Sequence, residues 1–236
     1  MDFMSAIDVF VEGFTLGKSK VHPYLVTRYK NLWIMRDAEG RKEPRVTEVV
    51  ACHEDPDEIA RQIREFGLKW HFLSLIHPFD ADFDAIRSTV KGHGYRAKST
   101  EGFFVHQMHE IPTFTSLPEV RPILSTSIPA TKNWVKTYPP ESHTYGVWED
   151  DGTEALGWVQ STPVRDASWI SNLYVREEYR KQGYGRALMS KMLLDDRERG
   201  VKTSVLLAST AGGRLYPHLG YDRIGTLQLF CPIHRD

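Results

Sequence analysis

The stretch from residue 172 to residue 187, Asn-Leu-Tyr-Val-Arg-Glu-Glu-Tyr-Arg-Lys-Gln-Gly-Tyr-Gly-Arg-Ala, constrains this chain more than any other. An apolar, strand-forming run ends at Val175. A basic loop with glycines at 183 and 185 follows. Residues 183–199 then place Tyr184, Ala187, Leu188, Met192 and Leu193 at helical spacing, and Gly200 stops the run. A strand feeding a long helix through a short loop calls for an α/β architecture with a sheet for the helix to cover. The loop also has a chemical consequence. The first turn of a helix carries backbone N–H groups without internal partners, and the macrodipole adds partial positive charge. Glycines let an anion approach that backbone and tolerate unusual dihedrals. Arg180, Lys181 and Arg186 add full charges, so the assembly reads as a cradle for a diphosphate.

Bulk properties narrow the partners. The 30 basic and 31 acidic residues give a net charge of -1, so there is no broad basic field for nucleic acid or an anionic membrane. Neither is expected as a partner. Two distant cysteines, Cys52 and Cys231, make no disulfide framework and read as buried thiols in a reducing compartment. Residues 1–14 carry Asp2, Asp8 and Glu12 without a basic segment, unlike a secretory signal. No apolar run approaches the ~20 residues of a membrane helix. A cytoplasmic location is expected.

The pattern along the chain alternates strands and helices. Residues 5–14 have helical apolar spacing, residues 24–35 read as one extended segment, and residues 46–52 as a strand. Asp55, Pro56 and Glu58 make a capping-box start for a helix ending at Gly67. Residues 70–76 read as a strand, residues 83–90 as a helix, and residues 95–108 as a hairpin broken at residues 99–102. Residues 111–122, with Pro112, Pro118 and Pro122, are the expected linker. Beyond it, a short helix at 130–136 precedes strands at 143–148 and 154–160 around an Asp150-Asp151-Gly152 turn. Strands at 169–175, 203–208 and 221–231 complete the chain, with a short helix at 212–219. The expected organisation is therefore an α/β lobe at 1–110, a linker at 111–122 and a second α/β domain at 123–236. The halves echo each other: strand, helix, strand, helix, Gly-Tyr, strand. Duplication explains this, and so does coincidence between two α/β segments.

The 172–187 stretch resembles motif A of the GNAT superfamily of acyl-CoA-dependent N-acyltransferases, Arg/Gln-x-x-Gly-x-Gly/Ala. Arg180, Gly183 and Gly185 occupy the signature positions, and Val175 stands five residues before Arg180, where the family's strand ends. The segment Arg214-Leu-Tyr-Pro-His-Leu-Gly-Tyr221 resembles the family's Leu-Tyr-x-x-x-Gly-Phe element. The resemblance covers residues 154–231. It implies a mixed α/β sheet whose fourth and fifth strands splay, partly through a bulge in the fourth. It also implies acetyl-CoA as acyl donor, with no metal. The pantetheine arm would lie along Leu173, Tyr174 and Val175. The diphosphate would lie on the loop of Arg180, Lys181, Gln182, Gly183, Tyr184, Gly185 and Arg186.

By the same resemblance Tyr216 is the general acid for the departing thiol, and Ser209 either binds the cofactor arm or caps the following helix. Many relatives carry a glutamate base six residues before the motif A valine; here that position is Trp169. Asp166, Ser171, Asn172, His143 and His218 remain as candidate bases. Trp169 either walls the acceptor pocket or packs in the core. The equivalent helix of the first half begins Asp55-Pro56-Asp57-Glu58, whose carboxylates repel a diphosphate, so that half is expected to bind no CoA. It would act as a lid or wall for the acceptor site, or as a homodimer surface. The expected activity is acetyl transfer to the primary amine of a small molecule, amino acid or peptide. A non-catalytic acyl-CoA-binding module and an enzyme using a longer acyl chain are the alternatives.

Overall fold

The computed structural model describes residues 1–19, 22–52, 55–114, 118–123, 142–149 and 155–234. Helices are α1 (Phe3–Lys18), α2 (Pro56–Phe66), α3 (Phe83–Gly92) and α4 (Tyr184–Glu198). Strands are β1 (Tyr24–Tyr29), β2 (Leu32–Asp37), β3 (Thr47–Cys52), β4 (His71–Pro78), β5 (Tyr95–His106), β6 (Arg121–Pro122), β7 (His143–Trp148), β8 (Ala155–Val164), β9 (Ala167–Val175), β10 (Thr203–Ser209) and β11 (Asp222–Pro232). All of these strands join one mixed α/β sheet in the order β1-β2-β3-β4-β11-β5-β10-β9-β8-β7-β6.

That order has an internal symmetry. In each half two strands run parallel, β3 with β4 and β9 with β10. The last strand of each half then crosses to the other half: β11 pairs antiparallel with β4, and β5 with β10. β5 and β11 pair with each other at the centre. Gly94 and Gly220, at φ 82° and 84°, end the preceding segments in the left-handed region and release the chain into these two strands. The Gly-Tyr echo in the sequence thus corresponds to two structurally equivalent strand entries. Sheet hydrogen bonds cross between residues 1–110 and 123–236, because each half holds a strand of the other between its own elements and the centre.

Strand alternation decides which face each side chain takes. On one face α1 lays Phe10 and Val11 against Val50, Phe103, Trp169 and Leu227. On the other, α4 buries Leu188, Met189, Met192 and Leu193 against Ile170, Leu206 and Phe104. The same side of the first half is covered by Ile59 and Ile63 of α2 and Val90 of α3, over Val49, Ala51 and Leu73. Cys52 and Cys231 are buried thiols outside any disulfide.

Several expectations are corrected. The segment 24–35 is a hairpin, turned at Lys30 with φ 51°. Residues 95–106 form one strand rather than a hairpin. Gly102 was read as a turn residue, but its role is packing: a Cβ there would stand 2.5 Å from Phe104 Cε2. Asp55 caps α2 through the Asp57 N–H at 3.0 Å, whereas Glu58 turns away to Arg61 and Gln62, so the reciprocal half of the capping box is not formed. The segment at 212–219 is two short 3-10 turns, Gly212–Arg214 and Tyr216–Leu219. Within the expected linker, Arg121 and Pro122 pair with β7 and Ile111 is buried. The helix read at 130–136 and the turn at 150–152 lie outside the described residues.

Candidate active site

The site begins where two strands part. β9 and β10 pair in parallel from Ala167↔Thr203 to Ile170↔Leu206, and no further. The register of β9 against β8 slips between Trp158 and Gln160, opposite Asn172. Asn172 has φ 59°, a conformation that asparagine tolerates better than most residues. Its side-chain amide donates to Gln160 Oε1 at 3.1 Å, which holds the bulge. Such a bulge bends a strand and increases its twist, here carrying residues 171–175 away from β10. The equivalent pair in the first half, β3 and β4, stays in register through Cys52↔Ile76.

A cavity of about 880 Å³ opens beside this gap, on the α4 side. Leu173 and Val175 form its strand wall, and Arg180, Lys181, Gly183, Tyr184, Gly185 and Arg186 its basic wall. Arg214, Leu215 and His218 close the far side. The first helical bond of α4 is Ala187 N–H to Gly183 O at 2.9 Å, so the N–H groups of Tyr184, Gly185 and Arg186 precede the ladder. Two local features shape the loop. Arg180 Nε donates to Val175 O at 3.0 Å, tying the loop to the strand end. Lys181 and Gly183 have φ 62° and 90°, two left-handed positions in the loop that enters α4. A Cβ added at Gly183 would meet nothing within 4 Å, so this glycine faces open space rather than a packed neighbour. Amides that precede the helical ladder, an open backbone and four cationic side chains fit a diphosphate.

A second cavity, of about 400 Å³, lies on the opposite face beneath α1. Ser171 and Asn172 line it, directly before the Leu173 and Val175 that line the first. Its apolar walls include Phe10, Phe14, Trp169 and Leu227. Glu101 enters it from β5. Trp169 is 6% exposed and packs 5.1 Å from Phe10, centroid to centroid. It packs in the core and also lines this cavity.

The comparisons accord with this geometry. Residues 141–223 match the family model described as "Acetyltransferase (GNAT) domain". The chain carries a GNAT domain. A GCN5-related N-acetyltransferase from Kribbella flavida superposes with a TM-score of 0.67 at 14% identity, covering 98% of this chain and 96% of that one. A putative GNAT-family acetyltransferase from Novosphingobium aromaticivorans gives 0.55 at 18% identity, over 95% and 97% of the two chains. A GCN5-related N-acetyltransferase-like protein from Streptococcus suis gives 0.54 at 15%, over 97% and 99%. These likenesses cover the first half as well as the GNAT domain, and they speak to fold. No curated protein matches the sequence significantly.

Around the GNAT domain's cradle, four of the residues expected at the cofactor stand apart from the cavity lining. Tyr174 points to the other face of β9 and stacks on Trp158 at 4.6 Å. Gln182 turns back to Glu178 O at 3.1 Å. Ser209 Oγ accepts the Gly212 N–H at 3.2 Å, the capping alternative. Tyr216 is 6% exposed, wedged between Phe104 and Tyr221 with both centroids at 5.5 Å, next to the cavity-lining Leu215. Burial pushes its phenol up to about 12, so it stays protonated at neutral pH.

The candidate bases divide. Asp166 is exposed and paired with Lys202, and His143 stands near Asp195, Asp196 and Arg199, away from both cavities. His218 lines the cavity on the α4 side, and Ser171 and Asn172 the opposite one. Sequence reasoning missed Glu101. It shares the parity of Phe103 and Val105, and that signal was available once residues 95–106 were read as one strand.

Proposed function

We propose that this protein is an N-acetyltransferase that moves an acetyl group from acetyl-CoA to the primary amine of a small molecule, amino acid or peptide. The observation that carries the reading is the pairing of an open, cationic, amide-lined cavity with the parting of β9 from β10. Arg180, Lys181, Arg186 and the amides at the start of α4 would hold the diphosphate. Leu173, Val175 and Leu215 would flank the arm, with Tyr174, Gln182 and Ser209 reaching it only if their present contacts were exchanged. The bound thioester supplies an acyl carbon open to attack by nitrogen. Tyr216 would give a proton to the leaving sulfur, since its phenol is protonated at neutral pH. On this reading residues 123–236 carry the donor site. Residues 1–110 contribute an acceptor wall and no CoA site, because Asp55, Asp57 and Glu58 open α2 and β3 and β4 do not part.

Calorimetry with CoA on the wild type and on Gly183→Glu tests the donor site. The variant places a carboxylate in the cradle at a left-handed position, and Kd is expected to rise at least ~100-fold, about 2.7 kcal/mol. Equal affinities would refute the site. Release of free thiol from acetyl-CoA across a set of primary amines tests the reaction.

A further inference from the structure

The reading above leaves the acceptor and the base unassigned. The cavity beneath α1 bears on both. It touches the parted strands on the side away from the diphosphate cradle, through Ser171 and Asn172. Phe10, Phe14, Trp169, Leu227 and Leu229 give it an apolar side, and Ser74, Gln160, Ser171 and Asn172 a polar one. Two of its charged residues satisfy each other: Lys18 Nζ stands 2.9 Å from Glu48 Oε1. That leaves Glu101, which has no basic partner among the described residues. From β4, β8, β9, β10 and β11 no charged side chain enters the lining.

Glu101 is well placed by register. It lies opposite Ser209 of β10, in the part of that strand which β9 has left, and opposite Leu227 of β11. Burial in these surroundings raises its carboxyl above the usual carboxylate range, while the Ser99 hydroxyl acts in the other direction. A carboxylate raised in this way is a better proton acceptor than a solvated one. Gln160 lines the same cavity, is 1% exposed, and accepts from Asn172 through Oε1.

We propose that the cavity beneath α1 takes a primary amine carried on an apolar body, and that Glu101 is the catalytic base that removes a proton from its ammonium group. This rests on the acetyltransferase reading. The ammonium loses one proton to Glu101, which passes it to water. The freed nitrogen lone pair forms the new N–C bond to the thioester carbonyl carbon, and the C–S bond breaks. The sulfur takes a proton from Tyr216, and the second proton lost by nitrogen restores the phenol. The strand that carries the base belongs to the half without a cofactor cradle, so both halves are needed for one reaction. The apolar side selects the body of the amine by burial, at about 25 cal/mol per Å². Among the described residues the lining holds no unpaired cation, so an acceptor carboxylate gains nothing from it.

The test uses the whole chain with acetyl-CoA and four amines: 2-phenylethylamine, hexylamine, ethanolamine and glycine. The first two are expected to exceed the last two in kcat/KM by ~10-fold or more. Glu101→Gln, nearly isosteric, is expected to lower kcat by ~100-fold with little change in KM, and to lose the rising acid limb of the pH profile. Gly17 lines the cavity and a Cβ there meets nothing within 4 Å, so Gly17→Leu adds bulk at the cavity rim from a Cβ that makes no clash. It is expected to raise KM for 2-phenylethylamine by ~10-fold, with CoA affinity and melting temperature not lowered. A Glu101→Gln enzyme with the wild-type pH profile would overturn the base assignment. Equal preference for ethanolamine, or no turnover of any apolar amine by protein that binds CoA, would overturn the acceptor class. Failure of the wild type to bind CoA would instead strike the donor site and the acetyltransferase reading itself.

Discussion

Gly13 and Gly17 lie one turn apart on α1, and the same substitution at each should change stability in opposite directions. At Gly13 an ideal Cβ would stand 2.2 Å from Trp169 Cβ and 2.6 Å from its Cγ. Ordinary contact begins near 3.4 Å, so α1 would have to retreat by 3.4 − 2.2 = 1.2 Å at this point. A gap of ~1 Å forfeits a quarter to a half of each van der Waals contact along the seam. The seam includes the tilted Phe10–Trp169 ring pair, 5.1 Å between centroids. Overpacking of this kind costs about 1–3 kcal/mol, against a helix-propensity gain of up to ~1 kcal/mol for Gly→Ala. Gly13→Ala should therefore lose about 1–2 kcal/mol, a fall in Tm of roughly 2–8 °C for a chain of this length. Gly17→Ala meets open space and should gain a few tenths of a kcal/mol, less than a mid-helix site because it is near the C-terminus of α1. Thermal unfolding followed by circular dichroism, with urea titration as a second measure, reads both. A Gly13→Ala protein at or above the wild-type Tm would show that α1 is not held against β9 at this distance.

Tyr216→Phe should lower kcat by ~10–100-fold while CoA affinity stays within twofold; wild-type turnover would remove Tyr216 from the proton path. Asp37, with its side chain only 3% exposed, accepts from Arg45 Nε at 2.8 Å and from the Arg45 backbone N–H at 2.6 Å, and these bonds hold its carboxyl below the usual range. A lowered pKa gives stability that is present above the unfolded carboxylate value near ~4 and lost as pH falls through the folded one. Asp37→Asn should thus be less stable by roughly 1–3 kcal/mol at pH 7 and should lose less on acidification; parallel stability-against-pH curves for the two proteins below pH ~4 would refute the linkage. Glu101 runs the other way. Its raised pKa means the fold loses stability as pH rises from the unfolded carboxylate value through the folded one, so Glu101→Gln should be at least as stable as the wild type at pH 8.

Local physics was enough to read the proposed donor side. A strand end, a basic loop, two glycines and a helix start lie within sixteen consecutive residues, and the cradle they form uses backbone amides whose positions follow from the helix itself. The caps at Asp55 and Gly67 were legible for the same reason, since each depends on neighbours a few residues away. The proposed acceptor side was not legible. Glu101 becomes a pocket residue only because β5 crosses into the other half and pairs with β10, about a hundred positions further along the chain. Gly102 looked like a turn because nothing nearby in sequence reveals that the Phe104 ring fills its space. Trp169 likewise takes its meaning from Gly13, which lets α1 descend onto the sheet. Chain-local bonding was written in the residue order; the exchange of strands between halves, and the cavity it encloses, arose from burying both sheet faces at once.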